Sequence, residues 1–213
     1  MKIGIIGQGF VGSAIREGLK NFYEVKGYDL EPDRCFNLGP LDPYDPRDPH
    51  DSLVRSSDIV FVCVPTPMRK DGSCDTRILE SAITKIDNAA KSDPNRNRPI
   101  LVVKSTVPPG TTKTLNKLAT VCDVLFSPEF LTEANSFEDF KNQTRIIVGG
   151  NQASYFKAAK KVKQMFRKPF PSIPIVLTGW ETAEMIKYFT NCFLAAKVTF
   201  ANEMYEICNA TRI

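Results

Sequence analysis

Four short loop motifs, each placed directly after a predicted strand, constrain the fold of this chain more than any other feature. They are the segments 7–12, 65–67, 104–106 and 128–131, which read GQGFVG, PTP, KST and PEFL. In an open α/β sheet, the loops at the carboxyl ends of the strands line one crevice, and ligands bind in that crevice. We therefore expect the four motifs to meet at one edge of a sheet.

The alternation of strand and helix patterns predicts the fold class. Short apolar runs, typical of buried parallel strands, alternate with segments of helical periodicity. Strands are predicted at Lys2–Ile6, Glu24–Tyr28, Ile59–Val64, Ile100–Val103, Val121–Phe126, Arg145–Val148 and Ile173–Leu177. Helices are predicted at Phe10–Asn21, Ile78–Ala90, Thr111–Leu118 and Ala153–Phe166. The chain is thus predicted to be an α/β protein with a Rossmann-like, doubly wound, mostly parallel sheet.

A long helix is predicted to follow this sheet. Residues 181–209 contain neither Gly nor Pro and keep helical periodicity, so the helix would be about 43 Å long. We expect residues 1–179 to form a nucleotide-binding domain and residues 180–213 to form a central linker helix leading toward a second domain. Phe189, Phe193 and Phe200 would leave an apolar patch on this helix, which is typical of an interface.

The first loop has the spacing of a dinucleotide fingerprint. Gly7 permits a tight turn, Gly9 lets the backbone approach a pyrophosphate, and Gly12 lets the helix pack on the strand. The helix amino terminus adds N–H groups and a positive dipole end. Asp29 ends the second strand, where a carboxylate binds ribose hydroxyls and repels a 2′-phosphate, so the sequence favours NAD over NADP. Arg34 lies close enough to cover the adenosine end, which leaves this preference open.

The next two loops each place a threonine after a strand. Pro65–Pro67 would point the Thr66 hydroxyl into the crevice, and Lys104–Thr106 would do the same with Thr106 one strand later. Either segment alone could be only a turn. Two such hydroxyls at neighbouring strand ends favour a binding site.

Two pairs of polar residues are spaced four apart, which places each pair on one face if the segment is helical. Glu129 and Glu133 would supply a general base for water and a contact to the nicotinamide end. Lys187 would act as a base or oxyanion partner in a dry site, and Asn191 would hold a water or stabilise an alkoxide. The alternatives are helix capping with solvated charge for the acids, and an exposed lysine with a packed asparagine.

Charge and cysteine content exclude several other classes. The 28 Lys and Arg against 24 Asp and Glu give a net charge of +4, too small to favour nucleic acid. No run approaches the roughly 20 apolar residues of a membrane span, and the chain opens on a strand without a signal peptide. The six cysteines form no CxxC pair, which argues against a metal site and against a disulfide framework. Cys63 and Cys122 are predicted to be inert core thiols, and the location to be cytoplasmic.

One segment departs from the alternation. Pro40, Pro43, Pro46 and Pro49 recur every third residue, which suits polyproline II geometry. We interpret it as a rigid surface connection that replaces a helix, or as a segment that an SH3-type partner binds. His50, which follows it, is predicted to be a surface residue.

Taken together, these motifs resemble the UDP-glucose/GDP-mannose dehydrogenase family, and most closely its members that oxidise UDP-glucose. The resemblance covers nearly the whole chain in the family's order. The matching segments are 7–12, 64–67, 71–75, 104–108, 128–133, 145–149 and 183–191.

The resemblance implies a two-step oxidation of a sugar C6 alcohol to a carboxylate with two NAD. It implies a nucleotide-sugar substrate, UDP-glucose first, with GDP-mannose or a UDP-N-acetyl sugar as alternatives, and a homodimer through the 181–209 helix. The implied NAD contacts are Gly7, Gly9, Phe10, Val11, Gly12, Asp29, Arg34, Pro65, Thr66, Thr106 and Glu133. The implied catalytic residues are Lys187, Asn191, Glu129 and Thr106. The implied substrate contacts are Glu129, Phe130, Leu131, Lys187 and Asn191.

The main departure from the family concerns its nucleophile. That residue is a cysteine in a Gly-rich loop beyond the Lys/Asn helix, and neither Cys192 nor Cys208 matches its context. We therefore expect this chain to bind NAD without completing the oxidation alone, because no thiol would trap the aldehyde. The other hypotheses are a non-catalytic NAD-binding dimerisation module and a β-hydroxyacid dehydrogenase, although segments 71–75 and 128–131 argue against the latter.

Overall fold

The computed structural model describes residues 1–38, 48–92, 98–150 and 155–213. Within these ranges seven strands form one sheet. The strands are β1 (Lys2–Ile6), β2 (Glu24–Tyr28), β3 (Ile59–Val62), β4 (Ile100–Val103), β5 (Val124–Phe126), β6 (Ile146–Gly150) and β7 (Ile175–Gly179). The helices are α1 (Phe10–Leu19), α2 (Pro49–Ser56), α3 (Arg77–Lys91), α4 (Thr111–Leu118), α5 (Ser136–Lys141), α6 (Tyr155–Arg167) and α7 (Trp180–Thr211).

The strand order is β2-β1-β3-β4-β5-β6-β7, and every neighbouring pair is parallel except β5 and β6. The order turns back between β1 and β3, which creates the crevice that doubly wound sheets use for ligands. The predicted Rossmann-like, mostly parallel sheet is therefore confirmed.

Among the strands of the described sheet, only β5 and β6 pair antiparallel, through Phe126 and Gly149, and this reversal sets the direction of α7. Since β6 and β7 point against the first five strands, β7 ends at the opposite edge of the sheet. α7 starts at that edge, where the Trp180 indole N–H donates to the Val124 carbonyl at 3.0 Å. The helix then rises along the sheet toward the carboxyl ends of β4 and β5, so its second and third turns reach the crevice.

Apolar side chains fill both faces of the sheet. One face packs α1, α5 and α6, with Ile15, Phe140 and Phe166 at its centre. The other packs α2, α3, α4 and the start of α7, with Leu53 and Ile83 at its centre. Every residue of β3 and β4 is buried, as the continuous apolar runs of central parallel strands require.

The predicted strand beginning at Val121 starts later, at Val124. The buried Asp87 carboxylate accepts the backbone N–H groups of Thr120, Val121 and Cys122 at 2.9–3.2 Å. This segment is therefore a loop that closes onto α3, although its apolar residues resemble a strand.

The prediction that a rigid connection replaces a helix before β3 is wrong at its end, because α2 lies there. Pro49 occupies the first turn, where a missing N–H costs nothing, and the Asp48 carboxylate accepts the His50 N–H at 2.9 Å. The surface prediction for His50 is also wrong, since it is 2% exposed and packs edge-on against Tyr28, with ring centroids 5.2 Å apart. Pro40, Pro43 and Pro46 lie outside the described residues.

The predicted long helix is present and extends slightly further, from Trp180 to Thr211. Its first two turns are packed on the sheet, whereas residues 191–211 are all exposed. None of the helices in the described ranges is both long enough and apolar enough to cross a membrane.

Candidate active site

The loops after β1, β3, β4 and β5 meet at the carboxyl edge of the sheet, as their positions in the sequence predict. They enclose a cavity of about 440 Å³. Its lining is Gly9, Phe10, Val11, Cys63, Val64, Pro65, Thr66, Lys104, Ser105, Thr106 and Glu129.

The glycine loop has the geometry that a pyrophosphate requires. Gly7 has φ +88°, and a Cβ on Gly12 would lie 1.9 Å from the Gly7 carbonyl oxygen. A Cβ on Gly9 would meet nothing within 4 Å, so this backbone faces open space. No side chain caps α1 and its first turn holds no acid, which leaves the positive helix end available to an anion. The residues present fit a dinucleotide.

Asp29 is fixed beside this loop. Its carboxylate accepts the Gln8 N–H at 2.6 Å and the Glu31 N–H at 3.1 Å. Arg34 is exposed and pairs with Glu31 at 2.8 Å rather than with Asp29. Asp29, the residue expected to favour NAD over NADP, is therefore fixed by hydrogen bonds from backbone N–H groups. Arg34 does not pair with it.

The two threonine loops are bonded to each other. The Thr66 hydroxyl donates to the Thr106 carbonyl at 2.7 Å, and the Ser105 hydroxyl donates to the Val64 carbonyl at 2.6 Å. The hydroxyl proton of Thr66 is thus committed within the protein. Thr66 lines the cavity, as expected, and offers a ligand the lone pairs of its hydroxyl oxygen.

A buried ion pair forms the charged centre of the cleft. The Lys187 ammonium lies 2.7 Å from Glu129 Oε1, and both side chains are less than one-tenth exposed. The other carboxylate oxygen of Glu129 accepts the Leu131 N–H at 2.6 Å. α7 and the loop after β5 thus meet at this pair.

The sequence predicts that Glu129 with Glu133, and Lys187 with Asn191, each share one face of a helix, and this is only partly the case. The segment after β5 is not helical, so Glu129 and Glu133 do not share a helical face, and Glu133 is exposed. Asn191 lies one turn beyond Lys187 on α7 and is exposed, while Lys187 is buried. Side-chain acceptors hold this segment instead of a helical ladder: the Leu131 N–H donates to Glu129, and the Thr132 N–H donates to Asp139 at 2.8 Å.

A second buried lysine, which the sequence argument did not identify as a site residue, lies beside this pair. The Lys104 ammonium donates to the Pro128 carbonyl at 3.1 Å and lies 3.4 Å from the Ser127 hydroxyl. Burial lowers the pKa of Lys104 to about 8, although the Glu129 charge opposes the shift. The sequence feature that could have identified Lys104 as a site residue is its position directly after a strand that is buried on both faces.

Phe130 lies between two cations. The Arg145 guanidinium is 4.3 Å and the Lys187 ammonium 5.9 Å from its ring centroid, distances at which a cation is attracted to the ring face. A second cavity, of about 330 Å³, lies next to them and shares Lys104 and Glu129 with the first. The two cavities therefore share the wall formed by Lys104 and Glu129, and Glu129 forms the ion pair with Lys187.

Burial keeps the thiols that lie nearest this cleft protonated. It raises the pKa of Cys74, whose Sγ lies 4.0 Å from the Thr106 carbonyl oxygen. Burial raises the pKa of the Cys63 thiol to about 12, and likewise that of Cys122, so neither thiol ionises at neutral pH. Cys192 and Cys208 are exposed on α7. In the described part of the chain, no group of three His, Cys, Asp or Glu residues is arranged to hold a metal ion.

Comparison with known proteins gives a family match over most of the chain. The model of the UDP-glucose/GDP-mannose dehydrogenase family NAD-binding domain matches residues 48–168, and that of the family's central domain matches residues 181–213.

Individual relatives agree with this match. An uncharacterised protein of Methanocaldococcus jannaschii is 33% identical over 100% of this chain and 26% of its own length. A putative UDP-glucose 6-dehydrogenase of Bacillus subtilis is 31% identical over 99% of this chain and 53% of its own. The solved UDP-glucose dehydrogenase of Pyrobaculum islandicum is 29% identical, with a TM-score of 0.81 over 95% of this chain and 52% of that chain. The chain thus spans about half, or less, of the length of these three relatives.

Proposed function

Since the chain belongs to the UDP-glucose/GDP-mannose dehydrogenase family, we propose that it carries the cofactor-binding part of an enzyme that oxidises the C6 alcohol of UDP-glucose to the carboxylate. The observation that carries this proposal is the buried pair of Lys187 and Glu129, held 2.7 Å apart at the cleft that the glycine loop opens. NAD is the cofactor of the family's first domain, and it supplies the hydride acceptor when bound.

The residues proposed to hold NAD follow the cleft from one end to the other. Gly7, Gly9 and Gly12, with Phe10 and Val11, bind the pyrophosphate at the start of α1. Asp29 binds the adenosine ribose, with Arg34 nearby. Pro65, Thr66, Thr106 and Glu133 complete the set, although Glu133 is exposed in this structure and must turn inward to make its contact.

The proposed chemistry centres on α7. The Lys187 ammonium, hydrogen-bonded to Glu129, stabilises the negative charge that develops on the C6 oxygen as its proton leaves. Asn191, one turn further along α7, holds a water or stabilises the same developing charge. Thr106 and Glu129 hold the water for the hydrolytic step. Phe130 and Leu131 line the substrate side. Because Cys63 stays protonated and the α7 thiols do not match the family's nucleophile, we propose that this chain alone does not complete the oxidation.

A homodimer through α7 is also proposed. Phe189, Phe193 and Phe200 are 68%, 56% and 65% exposed, and a second copy of the helix would cover them. This observation equally favours the second candidate function, a non-catalytic NAD-binding dimerisation module. The division at residue 180 and the cytoplasmic location stay predictions.

Calorimetric titration with NAD and with NADP tests the cofactor assignment. We expect NAD to bind at least about tenfold more tightly, a difference of about 1.4 kcal/mol. Equal affinities would contradict the role given to Asp29. Light scattering tests the dimer, and a monomeric mass at micromolar concentration would contradict the proposed interface.

An assay with UDP-glucose and NAD in the same buffer tests the chemistry. NAD binding without UDP-glucuronate is the expected outcome. Formation of UDP-glucuronate would overturn the proposed inactivity and would direct attention to Cys192 or to a partner chain. GDP-mannose and a UDP-N-acetyl sugar, titrated in parallel, distinguish the alternative substrates.

A further inference from the structure

Glu184 is a fully buried acid whose role lies outside the proposed chemistry. It lies on α7, one turn before Lys187, and is 0% exposed. One carboxylate oxygen accepts the Gly110 N–H at 2.6 Å, and the other accepts the Thr112 N–H at 2.7 Å. Both donors belong to the start of α4, so two different helices are joined by two short hydrogen bonds.

These bonds replace a cap that α4 lacks. The first N–H groups of a helix have no partner within it and are usually bonded by a Ser, Thr, Asp or Asn at the N-cap. Here the N-cap is Gly110, with φ +93°, and it has no side chain to offer. Glu184 supplies the missing acceptor from another element, and its negative charge lies at the positive end of α4.

The same bonds hold the loop that carries Thr106. This loop runs from the end of β4 to Gly110. Its first half is tied to the loop after β3 through Ser105 and Thr66, and its second half is tied to α7 through Glu184. Since α7 also presents Lys187 to Glu129, one rigid helix fixes both sides of the cleft.

We propose that Glu184 is a positioning residue that sets the Thr106 loop relative to Lys187 by capping α4 from outside. The importance of that spacing rests on the proposed function, whereas the capping itself does not. A second link between the same helices, Glu181 with Lys113 at 3.3 Å, has side chains about half exposed. Such solvated pairs contribute little, so Glu181 provides a matched control.

The test compares E184Q with E181Q in the 213-residue chain. Hydrogen exchange at the Gly110 and Thr112 amides reports the cap, and the Thr106 methyl resonance reports the loop. The Leu101 and Val102 amides of β4 report global stability. The affinity for NAD is measured on the same samples.

In E184Q the side-chain amide keeps one acceptor oxygen, and its NH₂ group cannot accept the second N–H. We expect exchange at one or both of the Gly110 and Thr112 amides to accelerate by about tenfold or more, as for a buried donor left without a partner. The Thr106 methyl resonance should shift and the affinity for NAD should fall by about threefold or more. E181Q should leave all of these readouts unchanged.

Three outcomes would overturn the proposal. Unchanged exchange at Gly110 and Thr112 would show that the cap is dispensable. Faster exchange with an unchanged Thr106 resonance and NAD affinity would reduce Glu184 to an anchor of α4. Equal acceleration at Leu101 and Val102 would indicate a general loss of stability. If the unmodified chain fails to bind NAD while the amide and methyl readouts respond as expected, the proposed function fails and the positioning role stands.

Discussion

Replacing Lys187 with Met tests whether the centre of the cleft is dry. Met keeps the length of the side chain and removes its charge, which leaves Glu129 buried without its partner. Removing one member of a buried ion pair typically costs about 3–5 kcal/mol, whereas an exposed pair contributes about 0–1 kcal/mol. The matched control is K113M, because Lys113 on α4 also forms an ion pair that involves α7, with Glu181, but in solvent.

The structure places the expected loss at the lower end of that range. Glu129 would still accept the Leu131 N–H, and the Lys104 ammonium beside it would remain. We therefore expect K187M to lower the free energy of unfolding by about 3 kcal/mol and K113M by about 0.5 kcal/mol or less. At roughly 2–4 °C per kcal/mol for a chain of this size, K187M should melt about 6–12 °C earlier.

Urea unfolding at pH 7, without NAD and at fixed ionic strength, measures both variants. The m-value must stay unchanged for the two free energies to be compared. A loss of 1 kcal/mol or less in K187M, equal to that of K113M, would refute the reasoning. It would mean that the pair is effectively solvated and that the centre of the cleft is not dry.

Two further predictions concern charge and space in the same cleft. Lys104 has a folded pKa of about 8 against an ordinary 10.5, so between these values the unfolded chain holds a proton that the folded chain has released. Stability should therefore rise over this pH range by up to about 3 kcal/mol. Urea unfolding measures this as the difference in the free energy of unfolding between the unmodified chain and K104M. The difference is needed because the raised pKa values of Cys63 and Cys122 lower stability above pH 9. A difference that does not vary with pH would contradict the prediction. G9A should keep its free energy of unfolding within about 0.5 kcal/mol and lose at least about tenfold in NAD affinity. G12A should unfold far more easily, because its Cβ has no room. Unchanged NAD binding by G9A in calorimetry would contradict the assignment of the glycine loop.

The sequence was sufficient for the architecture because the relevant signals are local. A glycine turn between an apolar strand and an amphipathic helix, repeated strand–helix alternation and polar residues at strand ends together specify a doubly wound sheet. The helix beginning at Pro49 is not predicted, because two local signals conflict there. The proline periodicity indicates an extended connection, whereas Asp48 caps a helix that starts at Pro49.

The composition of the cleft could not be derived in the same way, because it depends on contacts between distant segments. Lys187 and Glu129 are far apart in the sequence, and an argument from spacings of four compares each only with its own neighbours. The direction of β6 in the sheet has no sequence signature either, because an apolar run is compatible with a parallel and with an antiparallel strand. Without that direction, the path of α7 toward the cleft cannot be inferred.

The reversed β5–β6 pairing makes α7 a lever. The helix is anchored at Trp180, reaches Lys187 about 10 Å along its axis, and ends about 46 Å from the anchor at 1.5 Å per residue. A rigid helix pivoting at its base would move its far end about four to five times as far as Lys187. A displacement of about 4–5 Å at the exposed end, imposed by anything that binds there, would shift the Lys187 ammonium by about 1 Å. A shift of that size directed away from Glu129 would take the 2.7 Å contact between the two side chains outside hydrogen-bonding distance.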